Sequence, residues 1–172
     1  ILSEPYNLKS VYLTGLDWTS HHCHYDYSFI DFYYDLADRM IGRIMNMVDE
    51  NTVVILISDH GFDYDIGFHS PDASFIMYGP AVKEGVSWEK GDVTIYDVAP
   101  TVLYLSGLPV SEEMPGRIVS EGLKAGFTSE HAIKTTDCYP YDPSAFTTGS
   151  AAVGDQLEES RRKHMRDLGY LK

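Results

Sequence analysis

Two short apolar runs, VYLTGL at 11–16 and TVVILIS at 52–58, are each closed by an aspartate, Asp17 and Asp59. Runs of this length, rich in β-branched and aromatic residues, predict buried strands. Between them Ile30, Tyr33, Leu36, Ala37, Met40, Ile41, Ile44, Met47 and Val48 recur at spacings of three and four, with Asp31, Asp35, Asp38 and Arg39 on other faces, which predicts an amphipathic helix. Strand, helix and strand in that order make a βαβ unit whose strands run parallel and end at one edge of the sheet. Asp17 and Asp59 would then share that edge, where open α/β sheets hold their ligands.

Further along, SFIMY at 74–78 reads as a third strand stopped by Gly79 and Pro80. A helix is expected over 97–106, with Asp97 as N-cap, Pro100 in the first turn and Gly107 past the end. Residues 135–154, rich in Thr, Ser, Pro, Gly and Tyr, predict an irregular arm. Residues 156–168 carry the charge pattern of a short solvent-facing helix closed by Gly169. The expected division is a core at 1–119 and, packed on the same domain, an arm and short helix at 120–172.

At 172 residues the chain is long enough for one compact domain with a real core. Its net charge of −13 repels phosphate backbones and argues against coating of nucleic acid. A phosphorylated substrate would need cations to supply the missing positive charge. The two cysteines, Cys23 and Cys138, form no CxxC pair or disulfide framework and leave the redox compartment open. No stretch has the roughly 20 apolar residues of a membrane span. A start at Ile1, running almost at once into a predicted strand, reads as an excised or processed piece of a longer protein.

Against that background the residues that could bind a cation stand out. Asp17 and His21 lie four apart, so a carboxylate oxygen and an imidazole nitrogen can converge. The run Ser58-Asp59-His60-Gly61 offers a second such pair, with Gly61 letting backbone pass close by. His69 follows a loop containing Gly61 and Gly67 that can bring it to the same edge. Five ligands of mixed oxygen and nitrogen type suit zinc, or a manganese-like ion if carboxylates dominate. Each also has a bland reading: Asp17 as a cap, His21 as a surface histidine, the Ser-Asp-His-Gly run as a plain turn. Only their joint placement favours a site. His22, Cys23 and His24, adjacent in a turn, point in different directions and read as outer or surface groups. Asp63 and Asp65 read as a solvated loop, and Asp72 either orients His69 or caps a turn.

In order, LTGLDWTSHH, ISDHGF, GFHSPDASFIMYGP and YDVAPTVLYLSGLPVSEEMPGR resemble the latter half of the alkaline phosphatase superfamily, in its type I phosphodiesterase and nucleotide pyrophosphatase branch. The resemblance covers residues 11–117, and the ending LGYLK is similar to tails in that branch. It implies an α/β three-layer sandwich with a mostly parallel sheet, incomplete here, and two divalent metal ions, zinc or manganese. It implies that Asp17, His21 and His69 bind one ion and that Asp59 and His60 bind the other. The family's remaining aspartate and its Thr or Ser nucleophile lie N-terminal to these motifs, and no Ser or Thr here sits in a matching context. The implied parent is a two-metal phosphoesterase acting on a phosphorylated small molecule or nucleotide-like substrate, with this piece alone inactive and an extracytoplasmic location favoured. Two alternatives stand beside it: a noncatalytic metal-binding or interaction domain prone to self-association, and a sulfatase or phosphoglycerate-mutase-like member of the superfamily.

Overall fold

The computed structural model describes residues 8–23, 25–139 and 163. Apart from residue 163, the expected helix at 156–168 lies outside the described residues, as does most of the arm at 135–154. Up to Cys138 the chain forms one compact unit.

The first expectation to change is the strand at 11–16. Residues 11–14 carry no strand, and the chain enters helix α1, Gly15–Cys23, where the Trp18 amide bonds the Thr14 carbonyl. A short apolar run fits a strand or the opening of a helix equally well, and partners decide. Val11 and Tyr12 are exposed, with no strand pairing them among the described residues, whereas residues from Gly15 onward satisfy their backbone groups within the helix. Gly15 also matters for packing: its bare backbone lies against the Tyr33 ring, where a Cβ would come within 2.9 Å. Tyr33 belongs to α2, Tyr27–Met45, the amphipathic helix read from periodicity. Asp26 starts it as N-cap, accepting from the Phe29 amide and the Ser28 hydroxyl.

The second expected strand forms as β1, Val54–Ile57. It pairs antiparallel with β4, Phe75–Tyr78, with Ile55 opposite Met77 and Leu56 opposite Ile76. No parallel βαβ unit joins residues 11–16 to β1, since the first of its strands is absent. Between β1 and β4 the chain makes a hairpin of β2, Gly61–Asp63, and β3, Phe68–Ser70. The described residues thus form a mixed α/β structure with three two-stranded sheets, one of them parallel: β5, Val110–Ser111, with β6, Thr135–Thr136.

Strand alternation sets the core. Ile55, Phe75 and Met77 turn inward onto Val82, Tyr104, Val119 and Leu123, while Leu56, Ile76 and Tyr78 stay exposed. Tyr104 lies on α3, Val98–Leu105, whose end is a Schellman motif: Gly107, at φ +70°, bonds the Tyr104 carbonyl, and the Leu108 amide bonds that of Leu103. A last short helix, α4, Ala125–Glu130, brings Phe127 edge-on to Tyr104.

Asp97 stands at the N-cap position of α3, but its side chain makes no capping bond there. It is buried, and its carboxylate accepts from the Thr94 amide and hydroxyl and, across the fold, from the Arg117 amide at 2.7 Å. Burial disfavours its charge, but the bonds from Arg117 and Thr94 outweigh that and hold its pKa below the usual 3.8. Asp97→Ala would leave two partly buried backbone donors without their carboxylate partner and is expected to cost about 1–3 kcal/mol. Because the folded-state pKa is depressed, the stabilisation is full above the unfolded value and is lost as pH falls through the folded one. Urea midpoints measured from pH 7 to pH 2 should show a steep acid limb in the wild type, and a shallower one in the variant.

Candidate metal centre

Helix geometry brings Asp17 and His21 together. Four residues apart on α1 they share a face, and His21 Nε2 lies 3.4 Å from Asp17 Oδ1. His69, on β3, points its Nε2 to the same oxygen at 3.6 Å, and His60, just before β2, does so at 3.8 Å. One carboxylate oxygen therefore sits among three imidazole nitrogens drawn from a helix and a hairpin. Asp17 Oδ1 is itself sealed from solvent and accepts no well-aligned hydrogen bond from the described residues.

Such an arrangement is unfavourable by itself, because a buried carboxylate oxygen without a donor costs roughly 1–3 kcal/mol or more. It suits a cation. Ligand atoms at zinc bond lengths around a tetrahedral ion lie about 3.3–3.6 Å apart, which fits the separations of Asp17 Oδ1 from His21 and His69. Asp17, His21 and His69 form a group able to hold a metal ion. His21 Nε2 and His69 Nε2 are 2.6 Å apart, a hydrogen bond in which one ring keeps its proton. That proton is what an ion would displace.

Burial, the largest influence on both rings, pushes His21 and His69 below the ordinary imidazole pKa of 6.5. Asp17 opposes this for each, and the neighbouring imidazoles reinforce it. Both are therefore neutral at pH 7, the form that ligates metals. His60 donates from Nδ1 to the Gly61 carbonyl at 3.0 Å, which leaves its Nε2 lone pair facing the carboxylates. Asp59 is the outlying member, with an exposed side chain whose Oδ1 stands 3.7 Å from His60 Nε2.

The imidazoles are closely packed. The His60 and His69 rings stack with centroids 3.8 Å apart, and Phe62 stands edge-on to His21 at 5.2 Å. Asp72 spends its carboxylate on Lys90, an exposed pair, rather than on His69. Its contribution is instead through backbone, since its carbonyl oxygen lies directly over Gly61. His22 turns away to stack on Trp18 and meets the Trp18 carbonyl, and His24 lies outside the described residues. Asp63 holds a turn by accepting from the Asp65 and Ile66 amides. Sequence reasoning passed over Phe62 and Tyr64, although their i, i+2 spacing after Gly61 carries the period of a strand.

The model of the type I phosphodiesterase / nucleotide pyrophosphatase family matches residues 2–64, a stretch that includes Asp17, His21, Asp59 and His60. Human arylsulfatase K is 28% identical over 123 residues, covering 60% of this chain and 22% of that protein. A putative extracellular sulfatase Sulf-1 homolog of Caenorhabditis elegans is 31% identical over 103 residues, covering 49% of this chain and 14% of its own. The dog arylsulfatase K matches at 28% identity over the same length as the human protein. The chain thus spans less than a quarter of the length of these relatives. No solved structure matches it. A phosphodiesterase family model over the first two motifs and sulfatase relatives over more of the chain meet in one larger group, the alkaline phosphatase superfamily, to which this chain is similar.

Proposed function

We propose that this chain supplies most of the metal ligands of a two-metal phosphoesterase built on the superfamily's three-layer α/β scaffold. Asp17, His21 and His69 hold one divalent ion, zinc or manganese, and Asp59 and His60 contribute to the second. The observation that carries this reading is Asp17 Oδ1, buried without a well-aligned hydrogen bond amid three imidazole nitrogens. Bound divalent ions supply positive charge that stabilises the attacking and leaving oxygens of a phosphoryl group. The residues present do the rest of what can be assigned to them. Asp17 offsets the charge of an ion in a partly desolvated setting, and the two depressed imidazoles stay neutral and ready to ligate at physiological pH. His60 is held in a fixed tautomer by the Gly61 carbonyl. In a chain with a net charge of −13, the ions also make an anionic substrate acceptable. The hydroxyl nucleophile that attacks the ester comes from outside the motifs described here.

Sulfate ester hydrolysis is a second reading, favoured by the sulfatase relatives. The name of one of them places that protein outside the cell, and an extracytoplasmic location for this chain follows on the same reasoning. Turnover of phosphodiester, phosphomonoester and sulfate ester substrates by the full-length protein separates the two activities. Asp59→Asn and His69→Ala should each lower the true activity by about a hundredfold or more, given that even outer partners of metal ligands cost 10–100-fold. Unchanged turnover in both variants rejects a metal-dependent hydrolase.

A further inference from the structure

The metal group is shared between α1, which carries Asp17 and His21, and the β2–β3 hairpin, which carries His69 and is preceded by His60. Something must hold these two elements in register, since a displacement of about 1 Å is enough to disable a site of this kind. Beyond the ligand rings and Phe62, a side chain that joins them is Tyr64, at the start of the hairpin turn. Its hydroxyl is 3.1 Å from Ser20 Oγ, on the residue before His21, and 3.5 Å from the Tyr34 hydroxyl on α2. Its ring packs on Phe62, at 5.1 Å, which in turn stands edge-on to His21.

The direction of the hydroxyl chain follows from counting protons. Each hydroxyl has one to give. Ser20 gives its own to the Leu16 carbonyl at 2.8 Å, an oxygen that can only accept. Tyr64 must therefore donate to Ser20, and Tyr34 must donate to Tyr64. The Tyr34 phenol, hydrogen-bonded to Tyr64, is accordingly pushed up to about 12 and keeps its proton. Ser20 is buried and Tyr64 half-buried, so water competes poorly for the inner link. The turn that presents Tyr64 is set on both sides. Asp63 accepts from the two amides after it, and Gly67, at φ +74°, takes a backbone conformation that a side chain would resist.

We propose that Tyr64 is a positioning residue of the metal centre, clamping α1 to the hairpin through the Ser20 hydroxyl and the Phe62 ring so that His21 and His69 both face Asp17. The proposal rests on the reading of Asp17, His21 and His69 as ligands. Tyr64 touches no ligand atom and acts through its neighbours. Its removal therefore changes how tightly and in what geometry an ion is held more than it changes whether the chain folds.

Zinc titration calorimetry of the full-length protein tests this, with Asp17→Asn as the reference. Tyr64→Phe keeps the ring and loses the hydroxyl, and its zinc affinity should fall about tenfold, with Tyr64→Leu falling nearer a hundredfold. Ser20→Ala should match Tyr64→Phe, and the double variant should be no weaker than either single, because both remove the same link. Cobalt in place of zinc should show a shifted visible spectrum in Tyr64→Phe, a signature that a merely structural role would not move. Affinity within about twofold of wild type in Tyr64→Phe, or losses that add in the double variant, overturn the proposal while leaving the ligand assignment intact. Zinc binding that survives unchanged in Asp17→Asn, or a wild-type protein that takes up no zinc, overturns the ligand assignment and the clamp with it.

Discussion

Asp17→Asn should raise the stability of the metal-free protein and, on the proposed ligand assignment, sharply weaken its affinity for zinc. The side chain keeps its shape, but the charge leaves an oxygen that is sealed from solvent and has no well-aligned hydrogen-bond donor among the described residues. An amide there can turn to donate to the Nε2 lone pair of His60, 3.8 Å from Oδ1, and the gain is about 1 kcal/mol. The same change takes the anionic ligand out of a group whose other members are neutral imidazoles. Affinity for zinc should drop by at least about a hundredfold, since changes one shell further out already cost 10–100-fold. Thermal melting in the presence of a chelator and zinc titration of the same two proteins give the answer together. Opposite signs are the signature of a functional group retained at a cost to the fold. A variant that is less stable without metal would mean that Asp17 is held by the imidazoles in an ordinary charged network.

The closeness of these residues is legible in the sequence for a physical reason. Asp17, His21, His60 and His69 are brought together by short-range features: an i, i+4 pair, a dipeptide at a strand end, and a hairpin pivoting on Gly61 and Gly67. Such features survive an error in the element that carries them. Asp17 was expected at the end of a strand and lies instead in the first turn of α1, yet the four-residue spacing to His21 converges more naturally on a helix than in a loop. What the sequence left hidden depends on distant partners. The antiparallel pairing of β1 with β4 cannot be read from the apolar run of either strand. The reach of Asp97 to the Arg117 amide joins residues twenty apart through a contact that no local pattern encodes. Asp72, expected either beside His69 or at a turn, pairs with Lys90, because an exposed carboxylate takes the cation within reach.

Gly61 is where the two levels meet, and Gly61→Ala is expected to disable the centre without touching a ligand. The residue follows His60 and opens β2 opposite Ser70, the neighbour of His69. An added methyl at this position would overlap the carbonyl oxygen of Asp72, a backbone atom that cannot turn aside as a flexible side chain can. Either the Asp72 segment lifts away or the hairpin tilts, and the second movement carries the His60 and His69 rings, stacked at 3.8 Å, away from Asp17. Overpacking of this kind costs about 1–3 kcal/mol in stability. Metal affinity should suffer more, by about a hundredfold, because ligand geometry tolerates only a few tenths of an ångström. Serine at the same position meets the same overlap and should do no better. If Gly61→Ala binds zinc as tightly as the wild type, the hairpin absorbs the methyl by lifting the Asp72 segment. The pairing of Gly61 with Ser70 would then not be what holds the histidines in place.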